Sequence, residues 1–116
     1  MTTKEIENIN EAASHWQQNP NTVGLNVFYG HLSDWKAFHK EILKRFDVKI
    51  RTSEMIYLKN GEVWKYCPLN STQRGLRPSV AVVPRYADRE WFEIYVFANC
   101  IHCSKIIWYG KADDEE

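Results

Sequence analysis

The chain has no long apolar run. Nothing in its 116 residues approaches the roughly 20 consecutive apolar residues of a membrane-spanning helix, and Met1-Thr2-Thr3-Lys4-Glu5 lacks the apolar stretch of a signal peptide. The expectation is a cytoplasmic protein with no membrane partner. Neither charge is in excess: 15 basic residues balance 15 acidic ones, so no global field draws the chain onto nucleic acid, and any such contact needs a local patch. Cysteine is scarce and odd in number, three in all, which argues against a disulfide framework. The five glycines (Gly24, Gly30, Gly61, Gly75, Gly110) stand singly, so there is no glycine-rich phosphate loop, and neither G-x-S-x-G nor H-E-x-x-H occurs. No complete catalytic motif is left to argue from.

What is present is a chain long enough for one domain with a real core. Residues 1–110 read as that domain and residues 111–116, with Asp113-Asp114-Glu115-Glu116, as a solvated, disordered acidic tail. Aromatic residues make up 14% of the chain, with five tryptophans, and their placement reveals the elements. Thr2 with Glu5 fits a capping box, and Ile6, Ile9, Ala13 and Trp16 fall on one face of a helix over 3–17. Ser33 and Asp34 suit the start of a second helix carrying Trp35, Phe38, Ile42, Leu43 and Phe46 as its apolar stripe. From Val48 the period falls to two. Asn60-Gly61 is the preferred pair for a two-residue hairpin turn, in which both positions need positive φ, and Val63 to Cys67 is the return strand. A polar loop, Pro68 to Pro78, leads to a buried strand at Val80–Val83, stopped by Pro84. Trp91 to Phe97 reads as a strand apolar on both faces apart from Glu93, followed by a C-x-x-C turn and a strand through Ile106–Tyr109. The predicted architecture is α+β: two helices packed on one face of a mainly antiparallel sheet of about five strands.

Cys100-Ile101-His102-Cys103 has the spacing of half a zinc or redox site, and Cys67 precedes Pro68 at the end of another strand-like run. Zinc held by Cys67, Cys100, Cys103 and His102 is one reading, with His31 or His39 as other fourth ligands. Small buried hydrophobes and a redox dithiol are the other two. The carboxylates of Asp88, Glu90 and Glu54 with His31 or His39 are the raw material of a metal-dependent nuclease, although nothing in the sequence places them together. Lys44, Arg45, Lys49 and Arg51, with Arg74, Arg77, Arg85 and Arg89, form a candidate phosphate-tracking surface on which Tyr57, Trp64 or Tyr66 would stack bases. Glu41, Asp47, Glu54 and Glu62 are interleaved with those cations and dilute the field, which also describes an ordinary charged surface.

Trp16-Gln17-Gln18-Asn19-Pro20 through Tyr29-Gly30-His31-Leu32-Ser33-Asp34-Trp35 to Ile42-Leu43, and then Ile56 to Gly61, Arg74-Gly75-Leu76-Arg77-Pro78 and Val80 to Val83, resemble segments of bacteriophage large terminases, in the family's order and over about half of the chain. The first resembles the adenine-side region; the later ones resemble the N-G hairpin, the R-G-x-R loop and the Walker B strand. There is no Walker A loop between them, and Pro84-Arg85 stands where the family has its Asp-Glu pair. The resemblance implies phage ancestry and a protein that no longer turns over ATP. The functional expectation is a small non-enzymatic binding module, such as a phage-encoded inhibitor or accessory protein, that contacts a protein partner through Arg74, Arg77, Lys40, Lys44, Arg45 and Trp64. A zinc-stabilised nucleic-acid-binding module is the alternative, and a metal-dependent nuclease the third.

Overall fold

Four of the six strand pairings are parallel, and that fact decides the architecture. The computed structural model describes residues 2–5, 24–72, 75–101, 103 and 105–110. Within them, seven strands form one mixed sheet: β1 (Thr2–Glu5), β2 (Leu25–Gly30), β3 (Val48–Arg51), β4 (Met55–Leu58), β5 (Val63–Pro68), β6 (Val80–Pro84) and β7 (Lys105–Tyr109), in the order β1-β7-β6-β2-β5-β4-β3. Helix α1 is Leu32–Arg45. A second helical segment, α2, runs over 89–99 as Arg89–Trp91, a π-helical stretch Phe92–Val96, and Phe97–Asn99. The broad class, helices packed on a sheet, agrees with the sequence; the strand count, the mainly antiparallel pairing and the single covered face do not.

The largest departure is α2, which was expected as a strand at 91–97. Two antiparallel strands can be joined by a tight turn, but β6 and β7 run parallel, with Val80 opposite Lys105 and Val83 opposite Trp108. Parallel neighbours need a crossover connection, usually helical. The chain between them therefore coils, and the C-x-x-C segment ends a helix instead of turning a hairpin. At the other end of the sheet Thr2–Glu5 is an edge strand parallel to β7, not the first turn of a helix; the remainder of that expected helix, and the acidic tail, lie outside the described residues.

The locally encoded parts agree more closely. α1 begins two residues earlier than Ser33 as N-cap would set it, with His31 in extended conformation at its N-cap and Asp34 in the first turn. Trp35, Phe38 and Ile42, spaced by three and four, are wholly buried. Strands β4 and β5 pair antiparallel, Ile56 opposite Trp64. Their connection is the four-residue loop 59–62, in which Gly61 alone takes a positive φ of 97° and the Asn60 side chain accepts from the Glu62 amide at 3.0 Å. One asparagine hydrogen bond thus replaces the second left-handed residue that a two-residue turn would need.

The two faces of the sheet carry separate cores. Phe28, Ile56, Leu58, Trp64, Val82, Ile107 and Tyr109 pack under α1. Val27, Tyr29, Cys67, Ala81, Val83 and Ile106 pack under α2, so the layers are helix, sheet, helix.

Candidate interaction surface

A helix that crosses between buried parallel strands needs only one apolar side, yet α2 has two. Its start is set by Asp88, whose side chain accepts from the Glu90 amide at 2.7 Å and the Trp91 amide at 3.4 Å. Trp91 then enters the core, donating from its indole to the Ser71 carbonyl at 2.8 Å and meeting Tyr29 edge-on. The next fully buried residue is Val96, five positions on, followed by Asn99 and Cys100, with Phe92 and Tyr95 half-buried against the same core. A spacing of five is what the π-helical hydrogen bonds supply, here Phe97 N–H to the Phe92 carbonyl. The outward positions are left to Ile94, 43% exposed, and Phe97, 47%, with Ile101, 62%, in the turn that follows the helix. Ala98 is exposed among them.

Phe97 is braced as well as exposed. Phe97 packs against Phe92 (ring centroids 6.2 Å apart), and Phe92 against Trp108 of β7 (4.7 Å), so Phe97 stands at the end of an aromatic ladder fixed to the sheet. Shallow clefts border the N-terminal end of the row. One, of about 320 Å³, is lined by Asn70, Asp88, Glu90, Trp91, Ile94 and Tyr95. The other, of about 350 Å³, is lined by Arg85, Ala87, Arg89, Phe92, Glu93 and Trp108. An apolar ridge with charged shoulders has the make-up of an interface core with its rim.

The place where an open parallel sheet usually takes a small ligand is occupied by the protein's own side chains. Such sites lie at the carboxyl ends of adjacent strands whose connections leave to opposite faces, and here those strands are β2, followed by α1, and β6, followed by α2. The Tyr86 hydroxyl donates to the Asp34 carboxylate, and the Tyr109 hydroxyl is shared between Asp34 (3.2 Å) and the Tyr29 carbonyl (3.1 Å). His31 stacks on Tyr86. Tyr66 donates to the Gly30 carbonyl at 2.9 Å, and a Cβ at Gly30, whose φ is 152°, would collide with the Tyr109 hydroxyl. Burial first, and then the hydrogen bond to Asp34, push the Tyr86 hydroxyl up to about 12; burial drives Tyr109 and Tyr29 upward too. These are un-ionised phenols at neutral pH, and they lock the edge.

The sequence-predicted residues separate. Lys40, Lys44 and Arg45 lie exposed on α1, the last two reaching back to Glu41. Arg77 is exposed on the loop between β5 and β6, where Leu69 and Leu76 pack against the opposite core from α1. Arg74 lies outside the described residues. Trp64 is wholly buried against Phe38 and reaches no surface, because its alternation in β5 turns it toward α1. Cys67, Cys100 and Cys103 do come together in one core cluster. Burial raises the Cys67 thiol, while a hydrogen bond between the other two makes Cys103 the more easily ionised and Cys100 the less. Cys103 also donates to the Lys105 carbonyl at 3.0 Å. His102 is outside the described residues, and among the described residues no three His, Cys, Asp or Glu side chains are placed to hold a metal ion. No helix among the described residues is long and apolar enough to cross a membrane.

The outer row of α2 is what sequence reasoning missed, although Ile94, Phe97 and Ile101 already stand three and four apart. Compared with protein-family models, curated proteins and solved structures, the chain matches none.

Proposed function

We propose that this protein works as a protein-binding module and that the outer face of α2 is its contact surface. The observation that carries the reading is the set Ile94, Phe97 and Ile101, three large apolar side chains between 43% and 62% exposed, the first two on α2 and the third in the turn that ends it. Single exposed apolar residues are ordinary; a contiguous row on a braced helix is characteristic of a surface that is covered in use. The filled edge at Asp34, Tyr86 and Tyr109 supports the same reading, since the fold's usual small-molecule crevice is packed shut by side chains. The module blocks or bridges its partner through an apolar contact with charged margins, and the arginines and lysines of α1 and the β5–β6 loop have no primary part in it.

The test is a triple variant, Ile94→Ser with Phe97→Ser and Ile101→Ser. These side chains face outward, so the variant keeps the parental thermal midpoint to within a few degrees. Immobilised parent retains at least one specific protein, its own untagged copies included, and the variant retains none. A variant that retains the same proteins as the parent refutes the assignment.

A further inference from the structure

The contact surface makes no use of the two thiols of the C-x-x-C segment, and the fold places them to react with each other. Cys100 caps the C-terminal end of α2, and the Cys103 amide donates to the Cys100 carbonyl at 3.0 Å. A bond from the first to the fourth residue closes a turn whose end Cα atoms lie within about 7 Å, and a disulfide spans Cα separations of about 4.4–6.8 Å. Both thiols are free, both belong to the core cluster beneath α2, and a hydrogen bond joins their sulfurs. We infer that Cys100 and Cys103 form a redox site, at which hydrogen peroxide converts the two thiols to an intrachain disulfide. No binding partner is needed, so the site is independent of the contact surface.

The surroundings give the two thiols different roles. The hydrogen bond from Cys100 favours a negative sulfur at Cys103 and outweighs the burial that opposes it, whereas the same bond, and then burial, hold Cys100 protonated. Cys103 is therefore the nucleophile, because the thiolate is the form that attacks. Its sulfur attacks one oxygen of the peroxide: the S–O bond forms, the O–O bond breaks, and the departing hydroxide takes up the proton shed by the thiol and leaves as water. The Cys100 sulfur then attacks the sulfenic acid at Cys103, forming S–S and breaking S–O, and the second hydroxide carries off the Cys100 proton as water. Two electrons pass from the sulfurs to the peroxide, and a small dithiol returns them. Access selects the oxidant. Cys100 is wholly buried and Cys103 is 4% exposed, so a slight local opening admits a molecule the size of hydrogen peroxide and not one the size of glutathione disulfide. Cys67 shares the same core cluster, but burial raises its thiol, and it serves as the internal control.

The test treats the unaltered, folded chain with a modest excess of hydrogen peroxide, then quenches, denatures, alkylates with N-ethylmaleimide and digests with trypsin. Cleavage after Arg89 and Lys105 leaves Cys100 and Cys103 in one peptide, and cleavage after Lys65 and Arg74 leaves Cys67 in another. The expected product is the peptide 90–105 lighter by two hydrogens and without label, regaining both labels if dithiothreitol precedes alkylation, while Cys67 stays labelled. Cys103 is expected to react roughly tenfold faster than Cys67 or more. With dimedone present, Cys100→Ser is expected to trap the sulfenic acid at Cys103, and Cys103→Ser to give no adduct at Cys100. The result on the unaltered chain stands whether or not either variant folds. A peptide 90–105 that keeps both labels at peroxide doses that fully oxidise free N-acetylcysteine, or a bridge from either cysteine to Cys67, overturns the site. Equal oxidation by glutathione disulfide overturns peroxide as its oxidant, and a dimedone adduct at Cys100 overturns the assigned roles.

Discussion

The two helices lie on opposite faces of one sheet and present opposite outer surfaces. α1 buries Trp35, Phe38 and Ile42 and shows solvent Lys36, Lys40, Lys44 and Arg45, the last two braced by Glu41. α2 with the turn that ends it buries Trp91, Val96 and Cys100 and shows solvent Ile94, Phe97, Ala98 and Ile101. Each helix has an inner face that stabilises the fold. Beyond Leu32 in its first turn, which is 49% exposed, the outer face of α1 is polar and finished for water; that of α2 is not. The contrast separates side chains required for folding from side chains that cost the isolated protein solubility and gain it nothing, and the second group is where function is to be sought.

The comparison is sharpened most by cutting a large side chain from each helix. Phe38→Ala removes a wholly buried ring between Phe28 and Trp64 and is expected to cost about 3–5 kcal/mol in denaturant unfolding. Phe97→Ala removes a ring of the same size and is expected to cost about 1 kcal/mol or less, because half of it already meets water. Equal losses would show that the outer face of α2 is part of the core.

That contrast also explains how much could be read from the sequence. α1 was legible because its apolar residues recur at three and four and its polar ones fill the gaps. The hairpin β4–β5 was legible because Asn60 and Gly61 are adjacent and their partners close in sequence. The parallel pairings of β2 with β5 and β6 join segments brought together only by crossovers, and no local pattern announces them. α2 was misread because a helix apolar on both sides, with inward residues five apart through its π-helical turn, imitates the unbroken apolar run of a buried strand. The property that hid the helix is the one on which the proposed binding face rests. The basic residues drew notice because charge is visible in a sequence, whereas the pairing of Lys44 and Arg45 with Glu41 on a helix surface is a matter of three-dimensional neighbourhood.

A smaller effect is expected where the two helices begin, at the shared edge of the sheet. Gly30→Ala forces a methyl group toward the Tyr109 hydroxyl at a φ of 152°, and a destabilisation of roughly 1–3 kcal/mol is expected from that strain. Adding Tyr109→Phe should return part of the loss by removing the colliding oxygen, and no recovery would mean that the backbone conformation alone sets the cost.

The same edge makes a pH prediction. Tyr86 is held protonated up to about 12 in the folded chain, against an ordinary value of 10.0, so folding favours its neutral form. Its contribution is fully present below about pH 10 and is lost as the pH rises from there through about 12. Tyr86→Phe is expected to be less stable than the parent at neutral pH, having lost the bond to Asp34, and to show a shallower fall in thermal midpoint across that window. An identical alkaline slope in both proteins would remove Tyr86 from the account.

The smallest effects belong to the charges of the outer surface. Lys40→Ala and Arg77→Ala are expected to change stability by no more than about 0.5 kcal/mol and to leave the pull-down unaltered. A loss of binding without loss of fold would transfer the contact surface to the basic residues.

The most direct measurement is carbene footprinting by mass spectrometry of the protein in a concentrated extract of the cells that make it, set against the same protein purified and dilute. The account predicts that Ile94, Phe97 and Ile101 lose labelling in the extract while Lys36 and Lys40 on α1 keep theirs. Undiminished labelling of the α2 row, or protection confined to α1, would contradict it.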